Sequence, residues 1–160
     1  MNIMRDIKFN LKEYENDKYK EVYSHIKVKY NKEDRSLYTI NAVGNGMFAI
    51  ENSDIIINFD LESKRICGIS GYIGDLDLIK NIDLPSISTL KSGILCADTN
   101  GMFISGVAYE IKFDYKIRFD RKNNYLVIGD FNQKDEIYRT LENVYLQLNE
   151  YLNCILIKLN

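Results

Sequence analysis

Apolar and polar residues alternate with period two along much of the chain. Val22, Ser24, Ile26, Val28 and Tyr30 alternate with Tyr23, His25, Lys27 and Lys29, the pattern of a strand with one wet face. A polar turn over 31–35 leads to a second strand, Leu37 to Val43. Gly44-Asn45-Gly46 reads as a tight turn, because Gly and Asn tolerate positive φ, and Met47 to Ile50 follows as a third strand. Asp54 to Asp60 (DIIINFD) is nearly apolar between its ends, which predicts a central strand. Leu61 to Lys64 turns the chain and Arg65 to Ser70 returns it as a hairpin. Ser92 to Ala97 reads as another buried strand, with a turn at Asp98 to Gly101.

The strongest alternation runs from Val107 to Phe119, with every second residue apolar or aromatic. One strand of that length would extend roughly 40 Å, about twice a common strand. The segment therefore bends strongly, or breaks near Asp114 into two strands that share a face. Asp120 to Asn124 (DRKNN) is a hairpin turn into Tyr125 to Ile128, closed by Gly129. Beyond it the periodicity is double. Ile137, Leu141, Val144, Leu148, Tyr151 and Leu152 fit a helical stripe, yet Val144, Leu146 and Leu148 alternate, as do Ile155, Ile157 and Leu159. The order of apolar run, polar turn, Cys and apolar run in 54–69 recurs in 144–157. That likeness favours strands at 136–140, 144–149 and 153–159, with a helix over 136–152 as the alternative.

The expected fold is mainly β: about ten mostly antiparallel strands in a curled sheet, sandwich or barrel, with at most one or two short helices. Residues 11–20 form a short helix or an exposed loop, and Leu76, Leu78 and Ile79 one helical turn in an otherwise irregular stretch from 75 to 85. No Gly/Ser- or Pro-rich linker divides residues 1–160, which read as a single globular domain. Composition agrees, with 22 Ile against 4 Ala, since β-branched residues suit a pleated surface and Ala suits a helix.

With 21 basic and 23 acidic residues, the chain lacks the basic excess of a general nucleic-acid binder. It has no apolar run of membrane-spanning length and no apolar leader at its start. Three widely spaced cysteines, Cys67, Cys96 and Cys154, read as free thiols in a reducing cytoplasm. They and the single His25 lack the close pairing of a zinc site, so neither a metal nor another cofactor is expected. A Cys–His or Ser–His pair would need His25, which lies on a polar strand face. Gly68, Gly71 and Gly74 lack the Lys-Ser/Thr pair of a phosphate loop and read as a bulge or bend. Tyr109, Phe113, Tyr115 and Phe119 read as a core face rather than a base-stacking platform. Acidic residues remain. Asp60 and Glu62, then Asp75, Asp77 and Asp83, would form a general acid–base pair only if they converged in a pocket. An exposed acidic loop would instead meet a basic partner, where complementary charge steers encounter.

Three segments carry a resemblance: Asp54 to Gly74 (DIIINFDLESKRICGISGYIG), Pro85 to Ala97 (PSISTLKSGILCA), and Tyr115 to Leu159, above all YKIRFDRKNNYLVIGD followed by VYLQLNEYLNCILIKL. In this order they resemble small bacterial immunity-type proteins of polymorphic-toxin and contact-dependent-inhibition loci. The resemblance implies a non-catalytic protein that neutralises a cognate protein toxin by occluding its active site; with the thiols and charge balance, a cytoplasmic protein with no nucleic-acid or membrane partner is expected. It also implies strands at the C-terminus. The partner-binding residues read from the acidic stretch are Glu62, Asp75, Asp77 and Asp83. The other two functional readings are a β-barrel holding a small ligand and a carboxylate-based hydrolase.

Overall fold

The computed structural model describes residues 3–5, 9–12, 25–41, 44–87, 90–92, 94–97, 107–148 and 151–159. Seven strands form the first sheet: β1 (Ile3–Arg5), β3 (Lys27–Asn31), β4 (Ser36–Ile40), β5 (Gly46–Ile50), β6 (Ile56–Phe59), β7 (Ile66–Tyr72) and β10 (Ala108–Ile111), in the order β1-β10-β5-β6-β7-β4-β3. The second sheet has the order β11-β12-β15-β14-β13-β8, from β8 (Leu90–Ser92), β11 (Ile117–Asp120), β12 (Tyr125–Gly129), β13 (Ile137–Leu141), β14 (Val144–Leu148) and β15 (Leu152–Lys158). A small ribbon pairs β2 (Phe9–Lys12) with β9 (Ile94–Ala97). The only helical element among the described residues is a 3-10 turn at Leu76–Leu78. Most pairings are antiparallel; β1 with β10, β10 with β5, and β13 with β8 are parallel.

The chain is thus mainly β, as the alternation indicates, but its sheets stay open and do not close into a barrel. Their inner faces share one core. Phe48, Phe59, Ile57 and Ile69 from the first sheet meet Leu126, Ile128, Ile155 and Ile157 from the second. Phe48 and Phe59 stack at 4.3 Å between centroids, and Phe9 meets Phe48 edge-on. The strand β6 lies at the middle of its sheet, which suits its nearly apolar sequence, broken only by Asn58.

Several sequence expectations are refined. The first alternating run begins its strand at Lys27, since His25 is in a turn, while residues 22–24 lie outside those described. The turn at 44–46 joins no hairpin. β4 pairs with β3 and β7, and β5 with β6 and β10, so the link from β4 to β5 crosses the ends of two strands. The 107–119 run does break, at 112–116, and its halves enter different sheets. Alternation survives the break because Tyr109, Ile111, Phe113 and Phe119 all point into the shared core. The C-terminal segment is three strands and no helix. The proposed helix or loop at 11–20 and the turn at 98–101 lie largely or wholly outside the described residues.

Two buried side-chain amides tie down main-chain groups, one of them across the two layers. Asn143, in the β13–β14 turn, accepts from the Val28 N–H at 2.9 Å and donates to the Val28 and Lys158 carbonyls at 2.7 and 2.8 Å. Gln147, fully buried on β14, accepts from the Asn132 N–H and donates to the Asn132 carbonyl, which fixes the loop before β13.

Candidate functional site

The irregular stretch after β7 is a strap over the second sheet. Its start follows the free edge of β11: Phe119 N–H donates to the Lys80 carbonyl at 2.9 Å and Ile82 N–H to the Phe119 carbonyl at 3.1 Å. Its end becomes β8 on the opposite edge. Five strand spacings, roughly 24 Å, separate the two edges. The only proline of the chain, Pro85, lies in this crossing, where its missing N–H costs no ladder bond. Beneath the strap Leu84 packs with Val127, Ile137, Cys154 and Leu156, while Ile82 and Ile87 pack at the margins.

Two groups in the β11–β12 hairpin pin the strap's beginning. The Arg121 guanidinium donates to the carbonyls of Leu76, Asp77 and Ile79 at 3.1, 3.2 and 2.6 Å. The 3-10 turn is therefore held from below, and Asp75 caps it by accepting from the Asp77 N–H at 3.0 Å. Asp120 is fully buried and accepts from Leu84 N–H at 3.2 Å and from the Asn123 side-chain amide at 3.0 Å. Burial pushes its carboxyl up, but the donors from Asn123, Leu84 and Lys122 outweigh burial and hold it below the usual carboxylate range. Its contribution to stability is therefore complete above about pH 4, the unfolded value, and disappears as pH falls through the lowered native one. Thermal melts between pH 2 and 7 check this. Asp120→Asn flattens the acid limb relative to wild type and lowers stability at neutral pH by about 2 kcal/mol.

Held in this way, the turn presents a leucine to solvent. Leu78 is 82% exposed, the most open large hydrophobic side chain described. Exposed Asp77 precedes it, half-buried Asp75 lies behind, and exposed Asp83 follows on the strap. Glu62 is exposed too, but in the β6–β7 hairpin, at the other end of β7 from Asp75. The structure brings the three aspartates into one segment and leaves Glu62 apart. Asp60 is occupied locally, accepting from Glu62 N–H at 2.9 Å and from the Ser63 hydroxyl at 3.1 Å. Glu62 and Asp60 thus lie apart from the three aspartates, and none of these five acids lines either of the two surface clefts.

Two clefts open on the surface. One, of about 410 Å³, lies between the strap at Pro85 to Ile87 and the loop at Phe131 to Ile137. The other, of about 310 Å³, lies between β3, Leu76, Phe119 and Leu159. Neither is enclosed by a closed barrel of the kind a small-ligand carrier needs. All three cysteines are free and buried, and they lie on β7, β9 and β15. Burial first, against a partial opposing effect of Arg118, pushes the Cys154 thiol up to about 12. Cys67 and Cys154 are therefore expected to resist a thiol reagent in the native protein and to react fully in denaturant; rapid native labelling of either contradicts their placement. Among the described residues no three His, Cys, Asp or Glu side chains gather as a metal site, and no helix is long and apolar enough to cross a membrane.

Sequence reasoning passed over Leu78, Asp120 and Arg121. The signal for Leu78 was present, as an apolar residue between acids in Asp75-Leu76-Asp77-Leu78 with no periodic partner. Asp120 and Arg121 looked like ordinary turn residues, because their partners lie 36 to 45 positions away. No known protein-family model matches the chain, and no curated protein matches it in sequence.

Proposed function

We propose that this chain is a non-catalytic binding protein of the immunity type, which neutralises a cognate bacterial toxin domain in the cytoplasm by covering its active site. The observation that carries this reading is Leu78: a large apolar side chain held in the open on a turn whose backbone is pinned by Arg121. An apolar anchor that is already ordered loses little conformational freedom on binding, which is what a central contact residue needs. Asp75, Asp77 and Asp83 around it suit a partner whose apolar pocket is rimmed by basic groups, as in the cationic cleft of a nuclease. A surface of standard size, about 800 Å² on each side, would include the turn, the strap and the β11–β12 hairpin. Free thiols in all three cysteines suit a reducing compartment.

The test is calorimetric titration of the chain against a toxin domain found encoded near its gene, and the absence of any such gene also removes the proposal. Leu78→Asp is expected to weaken binding about 30-fold or more, with the melting temperature unchanged because the side chain packs on nothing. Asp77→Lys is expected to slow association, and the more so at low salt. Undiminished binding by Leu78→Asp, or a wild type that does not bind, removes the proposal.

A further inference from the structure

One of the two edge strands of the first sheet is β3, and partners from the β13–β14 turn meet its outward side as far as Val28. In an antiparallel strand, alternate residues aim N–H and C=O to opposite sides. Ile26, Val28 and Tyr30 aim theirs away from β4. The Ile26 carbonyl accepts from Glu142 N–H at 3.0 Å. Val28 is bonded at both groups by the Asn143 side chain, with N–H to Oδ1 at 2.9 Å and Nδ2 to the carbonyl at 2.7 Å. That amide binds Val28 as a residue of a neighbouring strand would. Tyr30 is next, and among the described residues its main-chain N–H and C=O have no partner. They open on the cleft of about 310 Å³ lined by Lys27, Lys29, Tyr30, Leu76, Phe119 and Leu159.

We propose that this cleft receives a short extended segment of a partner protein, which continues at Tyr30 the edge pairing that Asn143 begins at Val28. Side-chain alternation dictates the sequence such a segment carries. The residue opposite Tyr30 turns inward towards Leu76, Phe119 and Leu159, so it is apolar. Its neighbour turns outward beside Lys29, with Lys27 farther along the same face, so it is acidic. A second copy of this chain is a poor occupant, since pairing two β3 edges would set lysine against lysine. Leu76 joins the cleft to the Leu78 turn, so one partner surface can reach both. The inference deepens the reading above and rests on it only for the partner's identity.

The test uses peptides and needs no toxin. The probe is a capped heptapeptide alternating Glu with Leu. Its controls are a copy N-methylated at the residues whose amides would face β3, and a copy with Lys in place of Glu. Spectra of the isotope-labelled chain are expected to shift at residues 28–32 with the acidic peptide, and the Tyr30 amide to exchange more slowly. The N-methylated copy is expected to produce neither change. Lys29→Glu is expected to weaken the acidic peptide roughly threefold to tenfold and to favour the Lys copy instead. Three results overturn the proposal: no shift at 28–32 with millimolar acidic peptide, equal effect from the N-methylated copy, or a slow Tyr30 amide in a free chain that sediments as a dimer. None of them involves Leu78, so failure here is distinct from failure of the toxin titration.

Discussion

Asn143→Leu is expected to lower the stability of the folded chain by about 4 kcal/mol, roughly 10 °C in melting temperature for a domain of this size. The substitution keeps the branched shape of Asn in a larger, apolar side chain and strands three main-chain groups, the Val28 N–H and the carbonyls of Val28 and Lys158. Two of these belong to the first sheet and one to the second, so the loss falls where the two layers are joined. Asn143 is itself buried, which leaves water little access to replace it. Denaturant unfolding followed by tyrosine fluorescence gives the value. A loss below about 1 kcal/mol would mean that the layers are held by their apolar core alone.

Gly71→Ala is expected to be as costly, at about 4 kcal/mol, for a different reason. Gly71 has φ of 134°, a region that side-chain-bearing residues rarely adopt, and a Cβ there would sit 2.0 Å from the Asp54 carbonyl oxygen. Backbone on that side cannot step aside without disturbing β6, the middle strand of the sheet. Gly74→Ala is the control. Its φ is also positive, at 92°, but nothing lies within 4 Å of the added carbon. It is expected to cost about 1 kcal/mol, the conformational part alone. Equal losses from the two variants, measured by the same melts, would contradict the close approach at Gly71.

These two positions also mark how far the sequence can be read. Period-two alternation pointed to β3, to both halves of 107–119 and to the C-terminal strands, while β6 and β7 showed as an apolar run and its return; β7, β12 and β15 carry consecutive buried residues, so alternation alone does not describe them. The hairpin likeness between 54–69 and 144–157 resolved the C-terminus correctly, since both segments fold back through a polar turn onto a neighbouring strand. Strand order was not legible. The exchange at Asp114 from one sheet to the other depends on room that Gly129 leaves for the Phe113 ring, where an added Cβ would meet it at 2.6 Å. Nothing local to either residue announces that contact. The strap was visible only as an irregular stretch, because its pattern is set by a sheet edge far along the chain. The acidic residues were legible as a group, but their division was not. Asp75, Asp77 and Asp83 share the strap's approach while Glu62 lies beyond the far end of β7. Leu78 takes its meaning from Arg121, and their relation exists only in the fold.

We propose the turn at Leu76–Leu78 as the contact centre for a protein partner. Hydrogen exchange of the chain, alone and with a toxin domain it is proposed to neutralise, is the test. Slowed exchange concentrated at residues 75–84 and in the β11–β12 turn is the result expected. Protection confined to the cleft at Pro85 and Phe131 or to the outer face of the first sheet, or no protection anywhere, would contradict it.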